Sequence, residues 1–254
     1  MDINTPFTCL QGRTAVVTGA ARGIGLQIAT VLQSVGMTLV LVDRDADELA
    51  HARTMMSAHG PAVALAANLS IDDSLPAIAE ALAPLPSLAV WVNNAGRVSH
   101  QAAEDVDLTE FEEVLRDNTA SALRGCQAAF RSMPGGGSIV NITSLVTDKV
   151  LPDRLSYSTS KAALENVTRY AAQEWGPRGI RVNAISAGYI DTRLTQWAED
   201  DPRMIAKRGT LGALALPRAG TADDIAHTVL YLSSPLASYV TGQVVLVDGG
   251  WHLT

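Results

Sequence analysis

Tyr157 and Lys161 stand four positions apart in the run Tyr157-Ser158-Thr159-Ser160-Lys161. On a helix the two side chains share a face, with β-carbons about 5–6 Å apart. An ammonium held near a phenol favours the phenolate, so the spacing predicts a tyrosine pKa brought down from about 10 towards the range of a general base. The same spacing also arises on plain helix faces, and the pair needs company to carry chemistry. Ser144 lies upstream, closing the apolar run Ser138 to Thr143.

A second constellation is Thr18-Gly19-Ala20-Ala21-Arg22-Gly23-Ile24-Gly25. Its spacing, Gly-x-x-x-Gly-x-Gly, is one residue longer than the common dinucleotide fingerprint. Glycines allow a tight turn and close backbone approach, and a following helix offers N–H groups and a positive dipole to a pyrophosphate. Asp43 closes the next apolar run, where a carboxylate can accept hydrogen bonds from adenosine ribose hydroxyls. It would repel a 2′-phosphate, so NAD is expected over NADP. Arg22 and Arg44 complicate this, because either can neutralise a phosphate, and Asp43 can also be read as a loop cap.

The elements that must position these residues alternate. Thr14–Val17, Leu39–Val42, Ala62–Ala66, Leu88–Val92, Ser138–Thr143, Arg181–Ile185 and Val244–Val247 read as short apolar strands. Helices are expected over about 24–35, 46–58, 72–82, 109–133, 155–175 and 221–232, the last capped by Thr221 with Asp224 at the capping-box position. Strands that are continuously apolar rather than alternating suit a parallel sheet covered on both faces. The expected fold is α/β, one doubly wound Rossmann domain over 1–254 with a seven-stranded parallel sheet.

Composition narrows the function. The chain has 254 residues, 47% hydrophobic and 18% charged, with a net charge of −7. That is enough for a substantial core, and it lacks the basic footprint of a nucleic-acid or anionic-membrane binder. No apolar run is long enough for a membrane span, and the first residues lack the form of a signal peptide. Cys9 and Cys126 are the two cysteines, far apart, and the five histidines show no ligand spacing, so no metal is expected. A cytoplasmic protein with free thiols is the plain expectation.

With these motifs in hand, the chain resembles the short-chain dehydrogenase/reductase family over practically its whole length. Thr18 to Gly25 match the glycine-rich motif, and Asn93-Asn94-Ala95-Gly96 match the element after strand four. Asn118, Ser144, Tyr157 and Lys161 match the catalytic tetrad. Ile180 to Ala184 match strand six, and Thr241-Gly242-Gln243 with Val247 to Gly250 match the C-terminal signature. The resemblance implies that Tyr157 exchanges the substrate proton while Ser144 holds the substrate oxygen. Lys161 would lower the tyrosine pKa and bind the nicotinamide ribose. Asn118 would interrupt regular helix bonding and hold a relay water.

Cofactor contacts implied by the resemblance are Gly19, Arg22, Gly23, Ile24, Gly25, Asp43, Asn68, Leu69, Asn94, Ala95, Gly96, Tyr157, Lys161, Gly188, Ile190 and Thr192. Two departures stand out: Asn68-Leu69 replaces an aspartate that binds adenine, and Ala187-Gly188 replaces Pro-Gly. A homotetramer or homodimer through paired long helices is also implied, with Ala120, Ala122, Ala162, Ala163, Ala171 and Ala172 permitting close approach, although such positions pack equally well inside a monomer.

Substrate choice should lie at the carboxyl ends of the strands. Besides Ser144 and Tyr157, the candidates are Arg97, Asp153, Tyr189 and Trp197, with His100, Thr147, Asp148, Arg154 and Arg193 as further polar residues. Arg97 either binds an anionic substrate or pairs with Glu104 or Asp105. Only three phenylalanines are present, which disfavours an aromatic-lined sterol pocket and favours a small polar alcohol or ketone such as a polyol, sugar or hydroxy acid. The C-terminal half also looks like polyol dehydrogenases of the family. Residues 188–216 are expected either to form an amphipathic substrate lid or to pack as a fixed helix pair. An NADPH-dependent 3-oxoacyl reductase is the alternative enzyme, and a non-catalytic dinucleotide sensor the alternative of another class.

Overall fold

The computed structural model describes residues 7–71, 74–192, 209, 211–212 and 214–254. Seven strands form one sheet: β1 Thr14–Thr18, β2 Thr38–Asp43, β3 Ala62–Ala66, β4 Leu88–Asn93, β5 Gly137–Ser144, β6 Ile180–Ala187 and β7 Val244–Val247. Their spatial order is β3-β2-β1-β4-β5-β6-β7, with every pairing parallel. The chain steps outwards from β1 to β3, then returns and continues on the other side from β4. The crevice between the carboxyl ends of β1 and β4 is therefore the topological switch point, where open α/β sheets bind ligands.

Helices α1 Gly23–Ser34, α2 Ala46–Ser57, α3 Ser74–Leu82, α4 Leu108–Leu115, α5 Ser121–Ser132, α6 Leu155–Trp175 and α7 Ala222–Ser233 flank the sheet. Side chains alternate across the strands, and the two faces build two cores. Ala15 and Val17 of β1 join Leu39, Leu41, Val90 and Val92 beneath Ile28 and Leu32 of α1 and Ile225 and Val229 of α7. Val16, one residue between, faces the other way with Val40, Trp91, Ile139 and Val182, beneath Cys126 and Ala129 of α5 and Ala171 and Ala172 of α6. Both faces are buried, which is why the strands read as unbroken apolar runs.

One expectation is corrected. The single helix expected over 109–133 is α4 and α5 joined by a π-helical turn at Arg116–Ala120. The interruption falls at Asn118, where the family resemblance implies one. Of the small residues expected at a subunit interface, Ala122, Ala171 and Ala172 are buried within the chain's own cores, whereas Ala162 is exposed. The expected capping box is present: Thr221 accepts from the Asp224 backbone and Asp224 accepts from the Thr221 backbone. Arg218 pairs with Asp224 at 2.8 Å and holds that carboxyl well below the usual range. Most of 188–216, including Trp197 and Arg193, lies outside the described residues. Among the described residues no helix is long and apolar enough to cross a membrane.

Candidate active site

The turn after β1 is shaped by what glycine omits. Gly19 and Gly23 have φ of +65° and +58°, a region that L side chains rarely adopt. A Cβ on Gly25 would lie 2.1 Å from the Gly19 carbonyl oxygen and 2.6 Å from Asn94 Nδ2. The first turn of α1 thus sits directly against the strand end, its N–H groups facing the crevice. Asn94 latches this turn: its Nδ2 donates to the Thr18 and Gly19 carbonyls at 3.0 and 3.1 Å, and the Thr18 hydroxyl accepts from the N–H groups of Asn94 and Ala95. Asn93, the other asparagine of the motif, points into the core. It accepts from Trp91 and donates to Asn141 and to Cys126, whose thiol is pushed up to about 12 by burial.

Asp43 ends β2 beside that turn. One carboxylate oxygen accepts from the Ala21 N–H and the other from the Asp45 N–H, both at 3.1 Å. The rim carboxylate is thereby tied to the glycine turn, with acceptor capacity left over. Arg22 and Arg44 are both exposed nearby in sequence. Asn68 uses its carbonyl oxygen on the Ser70 N–H, and the Leu69 carbonyl accepts from Arg124. The turn and its neighbours fit a dinucleotide, because a Cβ on Gly23 would meet open space at the start of α1, where no side chain caps the helix N-terminus.

Across the crevice, the π-helical turn holds Asn118. Its Nδ2 donates to the Arg97 carbonyl and the Ser160 hydroxyl, both at 2.9 Å, and its Oδ1 accepts from the Arg97 N–H at 2.7 Å. The Ser160 hydroxyl in turn donates to the Tyr157 carbonyl at 2.7 Å, and Thr119 donates to the Ser160 carbonyl. Ser160, fully buried, thus clamps the π-helical turn onto α6, a role that its place inside Tyr157–Lys161 hid in the sequence. A Cβ on Gly96 would meet Asn118 Oδ1 at 2.9 Å and Lys161 Nζ at 3.4 Å, so glycine there opens the route to the lysine.

Ser144 ends β5, and its hydroxyl hydrogen-bonds Tyr157. Lys161 is buried, donates to the Ile142 carbonyl at 2.9 Å, and lies 5.8 Å from the Tyr157 ring centre. The Tyr157–Lys161 spacing predicts a lowered tyrosine pKa; the structure has it raised. Desolvation of the hydroxyl is the dominant cause, and the Ser144 hydrogen bond and the Arg154 charge only oppose it. Burial also pushes Lys161 down, to about 8. Thr147 secures the segment after Ser144, its hydroxyl lying within hydrogen-bond distance of the Ser144 carbonyl at 3.0 Å and of Glu165 at 2.9 Å.

The remaining candidates separate. Arg97 pairs with Glu110, Glu113 and Asp117 at 3.3, 3.2 and 3.7 Å, not with Glu104 or Asp105. Tyr189 meets the Trp251 ring edge-on at 6.5 Å, a contact with a residue that the sequence reading did not single out. Gly188 follows β6 with Asp248 packed where its Cβ would be, and Ile190 bridges to Gly220. Asp153 has a φ of 59° just before α6, and Thr192 lies further along the same exit from β6.

A family model described as "Enoyl-(Acyl carrier protein) reductase" matches residues 19–252. Galactitol 2-dehydrogenase (L-tagatose-forming) of Cereibacter sphaeroides is 36% identical over 99% of both chains. The 3-oxoacyl-[acyl-carrier-protein] reductase of Aquifex aeolicus is 34% identical, covering 95% of this chain and 98% of its own. A crystal structure from Beutenbergia cavernae, assigned as an NAD(P)-dependent gluconate 5-dehydrogenase with NADP bound at low occupancy, superposes with a TM-score of 0.89. It is 36% identical over 98% of this chain and 100% of that one. The strand order, the glycine turn and these likenesses agree: the chain belongs to the short-chain dehydrogenase/reductase family, whose members are oxidoreductases acting on alcohol and ketone groups.

Proposed function

We propose that this protein is an NAD-dependent dehydrogenase for a small polar secondary alcohol or its ketone, such as a polyol, sugar or hydroxy acid. The observation that carries the reading is Tyr157 hydrogen-bonded to Ser144 with Lys161 alongside, across the crevice from a glycine turn tied to Asp43. NAD, when bound, supplies the hydride acceptor. The chain's own groups do the rest. Ser144 holds the substrate oxygen, Tyr157 takes the hydroxyl proton during oxidation and returns it during reduction, and Lys161 holds the nicotinamide ribose. Donors at the glycine turn hold the pyrophosphate, and Asp43 accepts from the adenosine ribose.

Two other readings compete. A 3-oxoacyl reductase using NADPH has a relative in its favour, but Asp43 at the ribose end repels a 2′-phosphate. A non-catalytic dinucleotide sensor has no use for a desolvated tyrosine beside a serine and a buried lysine. Initial rates at 340 nm over a panel of polyols, sugars and hydroxy acids, with NAD and NADP in parallel, test all three. The proposal expects turnover with NAD, and Asp43→Ser should weaken NAD while improving NADP. Better native turnover with NADP would defeat the Asp43 argument, and no turnover with either nucleotide would defeat the enzyme reading.

A further inference from the structure

Two arginines stand near the crevice in quite different states. Arg97 is already neutralised by three carboxylates. Arg154, the N-cap residue of α6, lies one helical turn before Tyr157 and on the same face. A parallel bridge between Gln101 and Arg154 draws the loop after Gly96 against the start of α6. Across that bridge, Arg154 Nη1 meets His100 Nδ1. A guanidinium only donates, so His100 Nδ1 accepts and carries no proton. Nη1 also donates to the Asp153 carbonyl at 3.2 Å.

The opposite edge of the guanidinium is different. Nε and Nη2 of Arg154 have no hydrogen-bond partner among the described residues, and no carboxylate there lies within ion-pairing distance. The side chain is nevertheless half-buried. The Asp153 carboxylate offsets part of the cost of drawing this guanidinium partly out of water, but it makes no ion pair with it and leaves the Nε–Nη2 edge without a hydrogen-bond partner among the described residues. Its charge is felt at the Tyr157 hydroxyl, the point of proton transfer.

We propose that the Nε–Nη2 edge of Arg154 binds a carboxylate on the substrate, so that hydroxy acids and their keto acids are preferred to neutral polyols. Side-on pairing of an arginine fork with a carboxylate supplies two parallel hydrogen bonds and fixes orientation. A monocation flanked by an unprotonated imidazole nitrogen matches a monoanion better than a phosphate dianion. The inference deepens the dehydrogenase reading and rests on it.

The test compares sugar acids, sugar alcohols and sugar phosphates of equal carbon number, using the full chain with NAD. Acids should exceed alcohols in kcat/KM by about 10- to 100-fold, the range for hydrogen bonds to a charged group. Arg154→Gln should collapse that acid-to-alcohol ratio at least tenfold, chiefly through KM, and Arg154→Lys should restore part of it. The ratio is the readout, because loss of the cation also alters Tyr157 for both classes. Equal preference, an unchanged ratio in Arg154→Gln, or preference for phosphates would overturn the assignment and leave the dehydrogenase reading standing. If neither class turns over, the dehydrogenase reading fails, and calorimetric titration of the NADH complex with the acids decides the Arg154 assignment. Binding lost in Arg154→Gln supports it, and no binding overturns it.

Discussion

Tyr157 is pulled in two directions. Burial lifts its pKa, while the Ser144 hydrogen bond and the Arg154 charge pull it down, and burial wins. The phenol is therefore protonated near neutral pH and ready to donate in ketone reduction. Alcohol oxidation needs the phenolate, so its kcat/KM should climb as pH rises from 7 to 10, while that of reduction stays level over the same range because the phenol remains protonated. A flat oxidation profile would contradict this assignment. Tyr157→Phe should lower turnover by about 10²–10⁴-fold, with NADH affinity, read by fluorescence, nearly unchanged.

Lys161 makes a separate residue-scale case. Its folded pKa of about 8 lies below the ordinary lysine value of 10.5, so below pH 8 the fold carries a buried ammonium at a cost on the order of 3 kcal/mol. Between about pH 8 and 10.5 the unfolded chain binds the extra proton, and stability from this group rises with pH. Lys161→Met should therefore be inactive yet at least as stable as the native protein at pH 7, and its advantage should shrink towards pH 10.5. Denaturant melts at the two pH values check the sign.

At the scale of elements, the site is a set of short connections held by side chains that bond backbone. Asn94 fastens the turn after β1 to the end of β4, and Ser160 with Asn118 fastens the π-helical turn to α6. Gly25 is the tightest point, since an added Cβ would strike backbone that has nowhere to move. Gly25→Ala should lower the melting temperature by about 3–10 °C, the range for overpacking in a chain of this size. It should weaken NADH binding along with it. A variant with native melting and native NADH affinity would show that the turn is looser than its geometry.

For the whole molecule, α6 leaves an exposed stripe of Ala162, Asn166, Arg169, Tyr170 and Gln173 on the side away from the sheet. Tyr170 is 65% exposed, unusual for a large aromatic ring on a regular helix. We propose that this stripe joins copies of the chain as a homodimer or homotetramer. Light scattering should show a mass of two or four times 26.8 kDa, and Ala162→Arg should shift it downwards. A native species of 26.8 kDa alone would refute the assembly.

Local patterns were enough for much of this protein. Unbroken apolar strands between amphipathic helices announced a parallel sheet covered on both faces, because burial on both sides is written into every residue of a strand. Thr18 to Gly25, Asp43 and the Tyr157–Lys161 spacing marked the candidate site for a similar reason: a turn, a strand end and a helix face each impose their own short pattern. Tertiary structure decided the rest. The clamp of Ser160, the three carboxylates around Arg97 and the open edge of Arg154 all depend on residues far apart in sequence. So does the direction of the Tyr157 shift, because desolvation depends on everything packed around a group and neighbours in sequence supply only part of that.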